Sequence, residues 1–466
     1  FRLFFRVGGE DSSRREAPKA IPTDKEAKPQ DSKKQKADHY RLFNRALNTL
    51  YEPSTLALAG GVGRVEFNHD VFDRAVREVF ARGGFSPDML ADPAVRPLVE
   101  ETYSALNRAV DTAIKTETPP ELTAALQNNA FIFSGFKTFH SLSEVGLALT
   151  DADGHVKPFD VFRRDVEAID SKYNTNYLYA EYNHAVHTSQ MAVKWHGFVA
   201  DGDRYNLQYR TAGDERVRSE HAALDNITLP PSDPFWNDYL PPNGWNCRCD
   251  VDQVLRDDYP MSDPELARAA GDACTDEPKA RMFRYNAGRE MTLFPAKHPY
   301  LPKGCGNCPQ RGSLNLATRP DRALPQCRVC GVVFRECRRE GERRLNEWKA
   351  ANIPERGGLS ITGENFHTGS LLITRGSMKG VVGHTLNMAV RDSLLGIRHG
   401  ALNYRYIGWG ECRTDPETGQ RKHPEAAFFL YYEVEIAGRT YYANVKAHRD
   451  YKAEELYCIR DRCNVA

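Results

Sequence analysis

The sequence lacks several features that would place it in a specialised class of protein. It has no net charge, because 63 Lys and Arg residues balance 63 Asp and Glu residues. No global field therefore draws the chain to nucleic acid or to a membrane surface. It also lacks a run of about 18 apolar residues, so we expect neither a transmembrane helix nor a membrane partner. The opening FRLFFRV is too short and too basic for a secretory signal, and the missing initiator Met leaves the true start of the chain open.

Large apolar side chains are almost missing between residues 9 and 38. Such a stretch buries too little surface to offset the entropy of ordering, so residues 1–38 are predicted to be disordered. The chain has eleven cysteines, an odd number that includes several close pairs. Without a secretory signal, this pattern favours metal sites and reduced thiols over a framework of disulfides.

The remaining residues are long enough for several hydrophobic cores. Apolar stripes with helical spacing run from His39 to about Trp195, and the helix after residue 159 is expected to split near Asn174. We predict a multidomain α+β protein with a mainly helical first domain, a zinc-ribbon insert and a small C-terminal α+β domain with an antiparallel sheet. The predicted boundaries are 1–38 for the disordered segment, 39–255 for the helical domain, 256–350 for a linker with the ribbon (305–330) and an Arg-rich helix, and 351–466 for the last domain.

Four possible metal ligands occur within one loop-rich, proline-rich segment. They are Asp214, His221, Cys247 and Cys249. Nitrogen, sulfur and oxygen donors of this kind suit tetrahedral zinc. The alternative is that Asp214 caps a helix and the two cysteines are buried packing residues. The spacing alone leaves both interpretations open.

The same segment resembles the signature of the phage Mu F-like minor head proteins. The resemblance is carried by YRTAGDERVRSEHAALDN, DPFW and PPNGWNCRC, which end at Asn226, Trp236 and Cys249. With the helical part upstream it extends over about residues 40–255. The sequence departs from the family pattern at Asn226, where many members have Gly, and this puts the local turn in doubt.

The resemblance implies a component of a tailed-phage or prophage head that associates with portal and scaffold proteins. Its expected location is the virion, and the host cytoplasm during assembly. No catalysis is implied for this domain. The resemblance also implies that His221, Cys247 and Cys249 are held together by zinc, with Asp214, Glu181 or His187 as the fourth ligand. His184 and His187 also have a plain interpretation as polar positions on a helix, and this interpretation is favoured over ligation.

A second cysteine cluster has the spacing Cys-x2-Cys, eighteen residues, Cys-x2-Cys. It consists of Cys305, Cys308, Cys327 and Cys330. Two such knuckles bring four thiolates to one Zn²⁺, which predicts a structural zinc ribbon. A redox Cys-x2-Cys is less favoured because no thioredoxin-like βαβ pattern surrounds it. The Arg-rich RECRREGERR that follows alternates in charge and is typical of a solvated helix face.

The C-terminal segment combines a helix with a predicted β-hairpin around Ala437 and Gly438. Period-two alternation in the second strand collects Asn444, Lys446 and His448 on one face. With His384 or His399, this face has the groups that metal-free RNA cleavage needs: a base, an acid and a cation for the phosphate. The alternative is an ordinary solvent-exposed sheet face.

The layout of this segment also resembles the barnase/EndoU/colicin/RelE-like nuclease domains. That resemblance implies a metal-independent ribonuclease effector with an RNA substrate and a cognate immunity protein. The predicted catalytic residues are His384, Lys446 and His448, followed by Arg375 and Asn444. The rival hypothesis is a purely structural virion protein whose last domain binds portal, scaffold or DNA. ADP-ribosyl transfer is disfavoured, because the Glu433-x-Glu435 pair stands without the other motifs of that chemistry.

Overall fold

The structure is a computed structural model that is about half helical, with one antiparallel and one mixed sheet. It describes residues 29–52, 65–115, 118–301, 328–384, 388–400, 403–436, 439–450 and 452–463. The chain divides into two compact units, Phe1–Arg45 and Ala46–Ala466. None of the helices in the described ranges is both long and apolar enough to cross a membrane.

The helices of the first three hundred residues are α1 Pro29–Leu50, α2 Asp70–Ala81, α3 Arg96–Ala113, α4 Pro120–Ala148, α5 Phe159–Asp170, α6 Leu178–Asp201, α7 Ser219–Ala222, α8 Phe235–Tyr239, α9 Pro264–Cys274 and α10 Ala287–Glu290. Those of the remaining residues are α11 Arg328–Asn352, α12 Arg375–His384, α13 Met388–Asp392 and α14 Ile397–Gly400. The strands are β1 Tyr205–Arg210, β2 Thr228–Leu229, β3 Asp250–Leu255, β4 Leu359–Thr362, β5 Ser370–Ile373, β6 Arg405–Glu411, β7 Ala426–Ile436, β8 Arg439–His448 and β9 Glu454–Arg460.

The N-terminal prediction needs a correction. Residues 29–38, which we expected to be disordered, form the first half of α1. The prediction considered only the scarcity of apolar side chains, whereas the Lys, Gln and Ala residues of this stretch are good helix formers. Residues 1–28 lie outside the described part of the chain.

The helical region packs around α4, whose side chains are buried on almost every side. The predicted stripe on α2 is confirmed, with Val71, Phe72, Val76 and Val79 all buried. The predicted split near Asn174 is confirmed in part, because α5 ends at Asp170 and α6 begins at Leu178, but the chain stays helical between them. A π-helical turn, Ser171–Tyr177, connects α5 to α6 without a break, since the Asn174 amide donates to Asp170 within the same helical run.

The first sheet has the order β2-β1-β3 and is antiparallel throughout. The second sheet has the order β4-β5-β9-β8-β7-β6. Its β7–β8 hairpin confirms the predicted pair of strands, although residues 437–438 at the turn are not described. We expected an antiparallel sheet, but β5 pairs with β9 in parallel, so the sheet is mixed.

One face of the second sheet supports the larger core of the C-terminal residues. Tyr441, Ala443, Val445 and Ala447 of β8 are buried there, as their alternation predicted. The opposite face, called here the open face, carries a small apolar cluster of Cys412, Ala426, Phe429 and Tyr431. The polar residues of β8 project on this open face because successive strand side chains alternate.

The predicted linker also contains more packing than expected. Along the Arg-rich α11, the arginines 339 and 343 are exposed as predicted, but their partners Glu336 and Glu340 are buried. Arg344 reaches Asn128 of α4. Whether 255 and 350 bound independently folding domains stays a prediction.

Candidate functional sites

The central motif forms its site from two separate segments of the chain. His221 lies on α7, and Cys247 and Cys249 lie directly before β3. All three side chains are buried, and their donor atoms lie within 4.8 Å of one another. The His221 Nδ1 atom is 3.5 Å from the Sγ atom of each cysteine. The structure thus brings together the three ligands that the motif implied.

The other polar residues of the motif fix these segments in place. Arg248 donates two hydrogen bonds of 2.6 Å to the two oxygens of Asp214. This bidentate pair lowers the pKa of Asp214 to about 2. Arg218 donates to the Trp245 carbonyl at 2.8 Å. Arg218 directly precedes α7, and Arg248 lies between the two cysteines. Their hydrogen bonds therefore hold the cysteine loop against α7 and against the segment before it.

The turn at Asn226 keeps the backbone that a glycine would adopt. Its φ of 65° lies in the left-handed region, which Asn tolerates better than most residues. The side chain of Asn226 also accepts a hydrogen bond of 2.6 Å from Arg210. The departure from the family pattern therefore does not change this turn.

The electrostatics of the three ligands suit a metal cation. A hydrogen bond from Cys249 holds the pKa of Cys247 well below its usual range and raises that of Cys249. Burial alone would lower the pKa of His221, but the Cys247 thiolate outweighs it and raises that pKa to about 10. Arg216, Arg218 and Arg248 line the small cavity at the thiols. Thiolate sulfur and imidazole nitrogen are the donors that structural zinc prefers, so the residues fit this ion.

Comparisons with known proteins agree with this geometry. Residues 159–252 match the family model for "Phage Mu protein F like protein". This region of the chain is phage Mu F-like. A relative, "Putative capsid assembly protein F" of Escherichia phage Mu, is 29% identical over 145 residues. The match covers 29% of this chain and only 30% of that relative. No solved structure matches the chain.

Two buried polar residues of α6, the implied ligand Glu181 and the neighbouring His184, have partners outside the His221, Cys247 and Cys249 group. Glu181 is fully buried on α6, where it accepts from Lys137 and, at 2.8 Å, from the Tyr51 hydroxyl. His184 donates to or accepts from the Tyr285 hydroxyl at 3.0 Å. Burial lowers the pKa of His184 to about 3, which keeps its ring neutral. The plain interpretation of His184 as a structural helix residue is therefore the correct one.

The predicted zinc ribbon falls mostly outside the described residues. Cys305, Cys308 and Cys327 all lie there. Cys330 is described, and it is buried in the first turn of α11. The ribbon stays a prediction.

The open face of the C-terminal sheet forms the second candidate site. His448, at the end of β8, contacts Glu455 of β9, with 3.0 Å between Nε2 and Oε2. The other oxygen of Glu455 accepts from the Thr374 hydroxyl at 2.7 Å and from the Ser377 hydroxyl at 3.1 Å. His448 is therefore one end of a chain of hydrogen bonds that begins at the start of α12.

Lys446 occupies the neighbouring position on the open face. Its ammonium donates to Glu425 at 2.8 Å and lies 5.2 Å from the centre of the Tyr457 ring. The His423 ring also packs against Tyr457, at 4.7 Å between centroids. One imidazole and one ammonium thus lie against the same aromatic ring. The positive charges of Arg421 and Arg449 act on the same face.

The other predicted catalytic residues have different outcomes. Asn444 lies on the open face but is buried, and within the described part of the chain its Oδ1 has no hydrogen-bond partner. Arg375 donates to the Ile353 carbonyl at 3.1 Å and pairs with Glu355. Neither partner belongs to the pair of His448 and Glu455. His384 is the last residue of α12, and its side chain is not among those described.

Sequence reasoning missed Glu455 and His423. Glu455 becomes the partner of His448 only because β9 pairs with β8, with Lys446 opposite Glu455. His423 belongs to the connection between β6 and β7, where no periodic pattern marks its direction. Thr374 directly precedes α12, and Ser377 lies in its first turn. Hydroxyl residues at this position mark the start of a helix, which is the signal that the sequence carries for this end of the site.

Proposed function

We propose that this protein acts in phage head morphogenesis. The observation that supports the proposal is the buried His221, Cys247 and Cys249 group, which occurs inside the region that matches the Mu F-like family. The relative in phage Mu is named as a capsid assembly protein. The expected partners are the portal and other head proteins, and the expected location is the virion.

A structural zinc ion at this group is part of the proposal. His221, Cys247 and Cys249 would hold the ion, which supplies cross-links between segments and no chemistry. The ion would replace the protons that His221 and Cys249 carry without metal. A second structural zinc is proposed for Cys305, Cys308, Cys327 and Cys330.

The head role is tested by incorporation into particles. The full chain is co-expressed with the portal and major head proteins of its own phage, and the assembled particles are purified by sedimentation. We expect the chain to sediment with particles, and His221→Ala to abolish this. The control is His155→Ala, since His155 is exposed in a loop. Particles that form without the chain bound, whatever the variant, would contradict the proposal.

A second candidate function is ribonuclease activity on the open face. Its support is the pairing of His448 with Glu455 next to Lys446, on the face that carries the small apolar cluster. Both imidazoles remain partly exposed, with 28% exposure for the His448 side chain and 24% for His423. They can therefore meet a substrate.

The chemistry that these groups allow is a transphosphorylation. His448 takes the proton of an RNA 2′-hydroxyl, and the freed oxygen attacks the adjacent phosphorus. The bond to the 5′-oxygen breaks, and this leaving oxygen takes a proton from protonated His423. The products are a 2′,3′-cyclic phosphate and a 5′-hydroxyl. Lys446 neutralises the charge that develops on the phosphate oxygens. A cognate immunity protein that covers the open face would protect the producing cell.

The ribonuclease function is tested on the purified full chain with total RNA in the presence of a chelator. We expect cleavage, and a loss of roughly 10²- to 10⁴-fold in His448→Ala, the range for one general acid or base. Arg439→Ala is the control, because Arg439 is an exposed residue at the start of the same strand. Intact RNA with a folded chain would instead support the purely structural virion protein.

A further inference from the structure

The central metal group has three protein donors, one fewer than a closed structural zinc site needs. The fourth ligands implied by the family resemblance are poorly placed. Asp214 is held by both of its oxygens on Arg248. Glu181 is paired with Lys137 inside the helical core. His187 is half-buried on α6 and interacts with Cys247 through charge alone.

Cys274 is a fourth candidate that the sequence motif does not contain. It is the last residue of α9, outside residues 159–252, and it is 5% exposed. It lies near enough to the His221 imidazole to contribute to the raised pKa of that ring. It belongs to the same buried cluster as Cys247 and Cys249. His221 and Cys274 also line one common cavity.

The position of α9 is fixed by residues of the Mu F-like region. Gly271 packs directly under the Tyr239 ring, where a Cβ would come within 2.6 Å of the ring carbons. The Tyr239 hydroxyl donates to Asp272 at 2.8 Å. The Arg284 guanidinium also lies over the Tyr239 ring, 5.7 Å from its centre. These contacts hold the end of α9, and with it Cys274, next to α7.

We infer that Cys274 is the fourth ligand of the central metal site, which then is a Cys₃His zinc centre. The inference rests on the proposed metal centre. The Cys274 thiol is not within 4.8 Å of all three other donors, so its side chain must turn toward Cys247 and Cys249 when the ion binds. The metal thereby ties α9 to the Mu F-like region.

The charges around the site agree with three thiolates. Three thiolates, a neutral imidazole and Zn²⁺ carry a net charge of about −1. Arg216, Arg218 and Arg248 line the cavity at Cys247 and Cys249, and Arg218 also lines the cavity shared with Cys274. Guanidinium groups that line the same cavity as the thiols stabilise the thiolate form against protonation.

The test uses cobalt as a spectroscopic probe in the full chain. Cys305 and Cys308 are first changed to Ser, so that the predicted ribbon binds no metal. Co²⁺ is then added to this background and, within it, to Cys274→Ala, Cys274→His, Cys247→Ser and the control Cys412→Ala, which changes a buried thiol beside the C-terminal sheet. The thiolate-to-cobalt absorption reports the number of sulfur ligands, and competition with Zn²⁺ reports affinity.

We expect this absorption to fall by about one third in Cys274→Ala, as three sulfur ligands become two. Cys274→His should bind metal tightly with the same reduced absorption, because imidazole replaces one thiolate. Unchanged absorption in both variants would overturn the role of Cys274. Loss of all absorption only in Cys247→Ser would leave a centre without Cys274. Absorption that Cys247→Ser does not reduce would overturn the metal centre itself.

Discussion

The central metal group and the open face of the C-terminal sheet use similar side chains in opposite environments. His221 is 4% exposed and contacts two buried thiols, whereas the His448 side chain is 28% exposed and contacts a carboxylate. An enclosed donor group cannot exchange a substrate, so the role we propose for it is the holding of an ion. A partly exposed pair such as His448 and Glu455 can receive a substrate. Burial, more than residue type, separates a structural site from a candidate catalytic site.

The largest expected effect concerns the buried ion pair of Lys137 and Glu181 in the helical core. Lys137→Met should destabilise the chain by about 4 kcal/mol, since it leaves Glu181 as an uncompensated buried charge. Urea denaturation measures the change in the free energy of unfolding. Lys157→Met is the matched control, because Lys157 pairs with Asp165 at the surface. A loss below about 1 kcal/mol for Lys137→Met would show that the two regions do not differ in this way.

A smaller effect is expected where α9 meets the Mu F-like region. In Gly271→Ala the new methyl group would come within 2.6 Å of the Tyr239 ring. The overpacking should cost about 2 kcal/mol in thermal or urea unfolding. Gly197→Ala on α6 is the control, since nothing lies within 4 Å of the added Cβ, and it should be neutral or stabilising. Equal effects of the two changes would contradict the tight packing of α9.

A pH dependence of stability is expected from a buried histidine of the helical region. The pKa of His184 falls to about 3 in the folded chain, against about 6.5 in the unfolded chain. The unfolded chain therefore binds the extra proton between these two values. Stability from this residue is complete above pH 6.5 and is lost as the pH falls toward 3, by up to about 1.4 kcal/mol per pH unit. His184→Gln should flatten this part of the curve measured by urea unfolding, and an unchanged slope would contradict it.

The smallest effect on stability is expected on the open face. Lys446→Ala removes an ion pair with the half-exposed Glu425 and should cost less than about 1 kcal/mol. The same change should nevertheless abolish most RNA cleavage, because Lys446 shares Glu425 with His423 and lies on the same strand face as His448. Thermal unfolding and the cleavage assay are measured on one preparation. A large loss of stability would mean that the face is a structural element.

The central group could be predicted from the sequence because its ligands lie inside one continuous motif. His221, Cys247 and Cys249 are close in the chain and are held by short loops. Cys274 could not be predicted, since its position depends on how α9 packs on Tyr239. A contact of this kind has no local signal in the sequence.

The C-terminal face shows where local patterns stop being informative. Strand alternation predicted that Lys446 and His448 lie on one face of the sheet, and they do so in the structure. The partner of His448 depends on the register between β8 and β9, and Glu455 was therefore missed. Arg375 was chosen for its charge alone, and its guanidinium instead bonds to the Ile353 carbonyl. The split expected at Asn174 separates two α-helices, but local patterns did not predict that a π-helical turn would join them.

The central claim is that the motif of the Mu F-like region folds around a metal ion. The most direct test is the zinc content of the purified full chain, measured by inductively coupled plasma mass spectrometry. The account predicts about two zinc ions per chain, one at each predicted centre. Cys247→Ser should lose one of them, Cys305→Ser the other, and the double variant both. A Cys247→Ser chain that keeps the zinc content of the unmodified protein would contradict the claim.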